Sequence, residues 1–155
     1  MRLTLLAVGD KLPGWAEEST AEYLKRMPRE ARVELVTVKP EKRAGQPAEA
    51  LKQADTARLL DKLPAGARVV ALDEHGRQVT TKELAELLAR WLESGRDTCL
   101  VIGGADGLAP ALLERAETTL ALSRLTLPHA LARVLLAEQL YRAASLLNHH
   151  PYHRE

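Results

Sequence analysis

Glycines follow the fourth apolar run of the chain at a spacing that lets backbone approach a ligand. Gly103, Gly104 and Gly107 come directly after the run Cys99 to Ile102. Because glycine has no side chain, a bound molecule can lie against the peptide groups there. The spacing is neither Gly-x-Gly-x-x-Gly nor Gly-x4-Gly-Lys-Ser/Thr, the patterns of dinucleotide and triphosphate sites. The residues therefore predict either a plain tight turn or a cofactor loop of another kind.

A second candidate is segment 123–129, Ser-Arg-Leu-Thr-Leu-Pro-His, which has neither the period of a strand nor that of a helix. Its apolar and small residues predict a partly buried loop. Loops usually lie at the surface because their peptide groups need hydrogen-bond partners. Burial of this loop would mean that something else supplies those partners.

The chain ends in Asn-His-His-Pro-Tyr-His-Arg-Glu, residues 148–155, which combine imidazole, phenol and guanidinium groups. Such groups suit base stacking and phosphate contact. A metal site is the alternative for the three histidines. No carboxylate or cysteine accompanies them at ligand spacing, and Pro151 favours an extended path. We therefore expect no metal.

Short apolar runs alternate with helix-length segments, which predicts an α/β fold with a mostly parallel sheet flanked by helices. Ligands of such sheets bind beyond the carboxyl ends of the strands, where the glycines and segment 123–129 fall. Thr80 or Thr81 would cap the third helix. The predicted strands, the first four expected to be buried on both faces, are Leu3 to Val8, Val33 to Val38, Val69 to Leu72, Cys99 to Ile102 and the short Leu120 to Leu122. The predicted helices are Trp15 to Arg26, Ala48 to Leu63, Lys82 to Glu93, Pro110 to Glu117 and Ala130 to Leu147.

Composition restricts the class of protein. A chain of 155 residues predicts one domain over 1–155, and a net charge of +1 provides no global field for nucleic acid, so RNA affinity would need a local patch. The single Cys99 excludes an internal disulfide and fits a reducing compartment. No segment is typical of a signal peptide or a membrane span. We expect a cytoplasmic protein with no membrane partner.

The last predicted helix, Ala130 to Leu147, has an apolar surface wider than one sheet-facing stripe requires. Two packing partners would explain that width, its own sheet and a second subunit in a symmetric contact. The alternative is a helix sunk deeply into a monomer. We predict a homodimer.

Taken in order, several motifs resemble those of the RlmH family, the pseudouridine N3-methyltransferases of large-subunit (23S) ribosomal RNA in the SPOUT superfamily. The resemblance runs from the first residue to the last. Each motif alone is weak, and the ordered set is specific. The motifs are Leu3 to Gly9 with Lys11, Pro13 and Trp15, then Ile102-Gly103-Gly104-x-x-Gly107-Leu108, Leu125 to His129, and His150 to Glu155.

The resemblance implies a deep trefoil knot near the C-terminus, S-adenosylmethionine held in that knot, and a homodimer with a composite active site. Methyl transfer to ribosomal RNA, within the ribosome or its large subunit, is the implied activity. One departure is Arg124, which stands where a smaller residue would sit comfortably. The implied cofactor contacts are Leu72, Gly103, Leu122, Ser123, Arg124, Leu125, Thr126 and Leu127.

No residue is an obvious base for the N3 proton. His129, beside the cofactor loop, has the most suitable intrinsic pKa, and a plain packing role at the start of a helix is its alternative. Arg142 and Arg154 could stabilise the uracil-like anion or bind phosphate, and Tyr152 could stack on the target base.

Two other classes of function remain open. One is a non-catalytic ribosome-binding or assembly factor with the same fold, against which the intact glycine turn, loop and tail argue. The other is a metal-dependent hydrolase built on the terminal histidines.

Overall fold

The computed structural model describes residues 1–154, which form one five-stranded sheet covered by helices on both faces. The strands lie in the order β2-β1-β4-β3-β5, and every neighbouring pair is parallel. The strands are β1 (Leu3–Val8), β2 (Val33–Val38), β3 (Arg68–Gln78), β4 (Thr98–Ile102) and β5 (Thr118–Ala121). The helices are α1 (Gly14–Lys25), α2 (Ala48–Lys62), α3 (Thr81–Ser94), α4 (Pro110–Arg115) and α5 (His129–Leu147), with 3-10 turns at Arg29–Ala31 and Pro151–Arg154. The α/β fold with its parallel sheet is confirmed.

The apolar runs form the centre of the sheet because their side chains are buried on both faces. All six residues of β1 and all five of β4 are buried. One face packs on α1, α3 and α5, and the other packs on α2 and α4. Cys99 lies in the second of these cores, where burial raises the pKa of its thiol to about 12.

Strand β2 is the exception to burial on both faces. Glu34 and Leu35 are exposed, whereas Val33 and Val38 are buried. The strand lies at the edge of the sheet, where it pairs with β1 alone. The prediction of a fully buried strand was therefore wrong here, because an apolar run does not reveal its place in the strand order.

Strand β3 continues six residues past the predicted end at Leu72. Both Leu72 and Arg77 pair with Leu120 of β5, so the residues between them bulge out of the ladder. Gly76 lies in this bulge, and a Cβ there would be 2.7 Å from the backbone of Leu120. The bulge brings residues 73–75 to the carboxyl edge of the sheet.

Helix α3 begins at Thr81, one residue before the predicted start, and Thr80 is its cap. The Thr80 hydroxyl accepts a hydrogen bond from the Glu83 N–H, and the Glu83 carboxylate accepts one from the Thr80 N–H. This reciprocal pair, a capping box, satisfies two amides that the helix itself leaves free. It also holds the pKa of Glu83 below its usual value.

Helix α5 lies between α1 and α3 on the sheet. These two helices cover its flanks, which accounts for much of its wide apolar surface within one chain. Leu136 and Leu140 are fully buried in the core, whereas Leu131, Val134 and Leu135 are only partly buried on the outer side.

Candidate functional site

A cleft of about 800 Å³ lies beyond the carboxyl ends of β3, β4 and β5. This is where an open parallel sheet is expected to bind its ligand. The glycine turn forms one wall, and segment 122–128 forms another. Apolar side chains dominate the lining, with carboxylates at Asp73, Glu74 and Asp106.

The glycine turn is held by its own backbone. The Gly107 N–H donates to the Gly104 carbonyl over 3.1 Å, and Gly107 has φ +84°, a conformation that favours glycine. A Cβ at Gly103 would lie 2.6 Å from the Gly107 carbonyl oxygen. Gly103 is therefore needed by the turn itself, in addition to any space that it leaves for a ligand.

The structure brings most of the predicted cofactor contacts to this one cleft. Arg124 lies outside the lining, with its side chain exposed. The residues that do line it are Leu72, Gly103, Leu122, Ser123, Leu125, Thr126 and Leu127.

Segment 123–129 is not buried in the way that we predicted. Leu125 is 74% exposed, and Arg124 and Thr126 are exposed as well. The segment covers the cleft on its inner side, but no described part of the chain covers its outer side. A local hydrogen bond pairs one of its peptide groups, since the Leu125 N–H donates to the Ser123 hydroxyl.

His129 begins α5 and lies in the wall between the cleft and a second, smaller cavity. Burial lowers the pKa of its imidazole, and the positive charge of Arg133 lowers it further, while Asp55 acts in the opposite direction. The imidazole is therefore neutral near pH 7. A neutral imidazole next to a ligand cleft can accept a proton.

Arg133 fixes the start of α5 against β1. Its Nη2 donates to the carbonyl oxygens of Val8 and Gly9, both over 3.0 Å, and the side chain is buried. This clamp sets the position of His129 one turn earlier on the helix. An arginine in a run of apolar residues was the available sequence signal, but its partners are 124 and 125 positions away.

The other predicted catalytic residues lie away from this cleft within one chain. Arg142 is thirteen positions beyond His129, about 20 Å along the helix. Residues 151–154 form a 3-10 turn that folds back on α5, so the extended path predicted from Pro151 was wrong. The Tyr152 hydroxyl donates to Glu138 over 2.9 Å. Arg154 is exposed at the end of this turn.

Aromatic packing explains why the tail turns back. The Tyr152 ring lies 4.6 Å from that of Tyr141, and the Arg142 guanidinium lies 4.8 Å from the Tyr152 ring. Burial raises the pKa of Tyr152, and hydrogen bonding with Tyr23 and Glu138 raises it further. The phenol stays protonated at neutral pH and acts as a donor.

Within residues 1–154, no cluster of histidine, cysteine or carboxylate side chains is arranged to hold a metal.

Removing the glycine at 103 should disable the cleft. We expect Gly103→Ala to weaken S-adenosylmethionine binding at least about 10-fold, because the new Cβ meets backbone that cannot move cheaply. Gly14→Ala is the matched control, since nothing lies within 4 Å of a Cβ there. Calorimetric titration of both variants measures the difference. Equal affinity in the two would place the ligand elsewhere.

The chain is similar to known proteins over almost its whole length. The family model described as "Predicted SPOUT methyltransferase" matches residues 1–153. Proteins named "Ribosomal RNA large subunit methyltransferase H" are similar over almost the whole chain. The one from Nitrosomonas eutropha is 55% identical over 154 residues, 99% of each chain, and the one from Burkholderia mallei is 57% identical over 155 residues, also 99% of each.

Solved structures share the fold at low identity. A probable methyltransferase from Bordetella pertussis superposes with a TM-score of 0.59 at 24% identity, covering 92% of this chain and 96% of that one. A probable methylase family protein from Haemophilus influenzae gives a TM-score of 0.57 at 18% identity, covering 97% of this chain and 69% of the other. With an arrangement of elements shared with these structures and more than half of its residues shared with the named relatives, the chain belongs to the SPOUT methyltransferase family.

Proposed function

We propose that this protein transfers a methyl group from S-adenosylmethionine to N3 of a pseudouridine in large-subunit ribosomal RNA. The observation that carries the proposal is the cleft of about 800 Å³ at the carboxyl edge of the sheet, with a bare glycine turn on one side and His129 at its end. The names of the relatives support the class of substrate.

The residues present fit the cofactor. Apolar side chains such as Leu72, Ile102 and Leu127 suit an adenine ring, and the peptide groups of the loop would serve as hydrogen-bond partners for its edge. The carboxylates of Asp73 and Glu74 suit ribose hydroxyls and the positive sulfonium. When bound, S-adenosylmethionine supplies a methyl group that is already activated for transfer.

The chain then has two tasks, to orient the base and to remove its N3 proton. Neutral His129 is our candidate for accepting that proton, since it lies at the cleft with a lowered pKa. Arg142, Arg154 and Tyr152 are proposed to bind RNA, by phosphate contact and by stacking. In one chain they lie far from His129, so a composite site built from two chains would bring them together.

Calorimetric titration with S-adenosylmethionine tests the proposal. We expect one binding site per chain and a negative heat-capacity change from apolar burial. A folded protein that binds no cofactor would favour a non-catalytic ribosome-binding or assembly factor instead.

We also propose that the protein is a homodimer joined through the outer side of α5. Leu131, Val134 and Leu135 form a partly buried apolar strip there. Sedimentation at micromolar concentration should report twice the chain mass of 17.1 kDa, and Leu135→Glu should shift the protein toward monomer. A wild-type monomer would contradict both the dimer and the composite site.

We also propose a C-terminal trefoil knot and a cytoplasmic location. The chain leaves β5 at the edge of the sheet, and the start of α5 then contacts β1 near the opposite edge. We propose that the chain forms its knot where it makes this crossing. No helix within residues 1–154 is long and apolar enough to cross a membrane. A ribosomal substrate would place the protein in the cytoplasm.

A further inference from the structure

A second cavity of about 200 Å³ lies beside the cleft, beyond the ends of β1 and β2. Sites for drug-sized ligands are typically about 300–1,000 Å³, so this one suits a smaller group such as a single ring. It shares Gly104, Ala105, Asp106 and His129 with the cleft. Two molecules, one bound in each cavity, would therefore lie next to each other at these shared residues.

Asp55 is the unusual residue of this cavity. It is 4% exposed, although it stands on α2 between the buried Leu51 and Leu59, at the four-residue spacing of a core-facing stripe. Its Oδ1 accepts a hydrogen bond from the Glu41 N–H over 2.7 Å. Among residues 1–154, no donor reaches its Oδ2. Within this range the fully buried side-chain atoms that lack a partner belong to other residues, so Oδ2 is open to the cavity and can accept an N–H from a molecule there.

Gly104 shows where that free oxygen points. A Cβ at Gly104 would lie 3.3 Å from Asp55 Oδ2 and 3.0 Å from Val8. Gly104 lines both cavities, so Oδ2 lies at the boundary between them. His129 lies at the same boundary, and the charge of Asp55 acts to raise its pKa.

The mouth of the cavity carries charges of both signs. Lys11 and Arg43 are exposed cations there, and Asp10, Glu41 and Asp106 are the other carboxylates. Arg43 donates to Asp106 over 2.8 Å, which ties the loop after β2 to the glycine turn. With more carboxylates than cations, the interior suits a group that presents N–H donors and carries no negative charge, and Lys11 suits a phosphate outside it.

We propose that this smaller cavity receives the target base, a uracil-type ring that donates an N–H to Asp55 and lies against His129. The assignment rests on the proposed function and extends it. A uracil-type ring is flat and neutral and presents N–H donors. Its position across Gly104 from the cleft places the ring edge beside the bound cofactor. Asp55 then orients the base, and His129 faces the proton to be removed.

The test compares Asp55→Asn with Asp61→Asn, an exposed position on the same helix. Asn keeps the acceptor for the Glu41 N–H and removes the charge. We expect both variants to bind S-adenosylmethionine like the wild type, and Asp55→Asn to lower methyl transfer to unmodified ribosomes about 10- to 100-fold at saturating cofactor. Wild-type transfer by Asp55→Asn would overturn the assignment. So would a loss of cofactor affinity that matches the loss of transfer, because the cavity would then belong to the cofactor.

A second measurement uses the wild-type chain and does not depend on the folding of a variant. Pseudouridine 5′-monophosphate is titrated into protein saturated with S-adenosylhomocysteine, and backbone amide NMR shifts are followed. Shifts should concentrate at Gly9, Asp55 and Gly104. Shifts confined to 122–127, or none at all, would refute the site. Failure of the wild type to bind cofactor would instead reject the proposed function.

Discussion

Replacing His129 with Asn should lower the rate of methyl transfer about 100- to 10,000-fold at pH 7.5 while leaving a folded protein that still binds S-adenosylmethionine. The range is the usual contribution of a positioned acid or base. The side chain is half-buried at the boundary of the two cavities, and it has no hydrogen bond within residues 1–154 that would make it essential for the fold. Single-turnover transfer to unmodified ribosomes measures the effect.

The pH dependence separates proton transfer from packing. Burial and Arg133 lower the pKa of His129, so its neutral form predominates above the ordinary histidine pKa of about 6.5. The wild-type rate should therefore rise with pH through a value below 6.5 and be level at pH 7 and above. His129→Asn should lose this acid limb. His75→Asn, at an exposed histidine on the rim, should keep it. An unchanged limb in His129→Asn would assign the proton to another group.

Removal of Tyr152 to Glu155 should leave cofactor binding nearly intact and reduce methyl transfer to ribosomes about 100-fold or more. The cleft is formed upstream, so the cofactor loses no contact. The deleted segment supplies a stacking ring and a guanidinium, which together contribute several kcal/mol to RNA binding in comparable settings, about 1–3 kcal/mol for a stacked base. Glu155 belongs to the deleted segment and lies outside the described residues.

Point variants assign the parts of this effect. Arg154→Ala should weaken transfer by removing a phosphate or base contact. Tyr152→Phe should be milder than Tyr152→Ala, because Phe keeps the ring against Tyr141 and loses only the hydrogen bonds of the hydroxyl with Glu138 and Tyr23. Equal damage from Phe and Ala would assign the role to the hydroxyl. Wild-type transfer by the truncated chain would remove the tail from the mechanism.

Local patterns were sufficient to predict much of the fold. The runs in β1 and β4 are buried on both faces, and each is short and bounded by turn residues, so their structure follows from nearby sequence. The capping box at Thr80 is equally local, since both bonds span three residues.

Features that depend on distant contacts could not be predicted in this way. The extension of β3 exists because Arg77 pairs with Leu120, which lies 43 positions later. The turn of the tail depends on contact between the Tyr152 ring and the ring of Tyr141 on α5. In both cases the residues alone are compatible with more than one path, and the tertiary partner selects between them.

The site shows the same division. Composition singled out the glycine turn and segment 123–129, and the resemblance implied the individual cofactor contacts within them. Asp55 was missed, although a carboxylate between Leu51 and Leu59 at four-residue spacing was a visible signal. Its meaning depends on Gly104, which β4 brings to the same edge of the sheet.

The most direct test of the central claim is nucleoside analysis of ribosomal RNA after reaction. Purified protein is incubated with S-adenosylmethionine and ribosomes from cells that lack the modification, and the large-subunit RNA is digested and analysed by mass spectrometry. The account predicts one new nucleoside, a pseudouridine that carries a methyl group at N3, formed only when protein and cofactor are both present. Absence of any methylated nucleoside, or a methyl group on a different base, would contradict it.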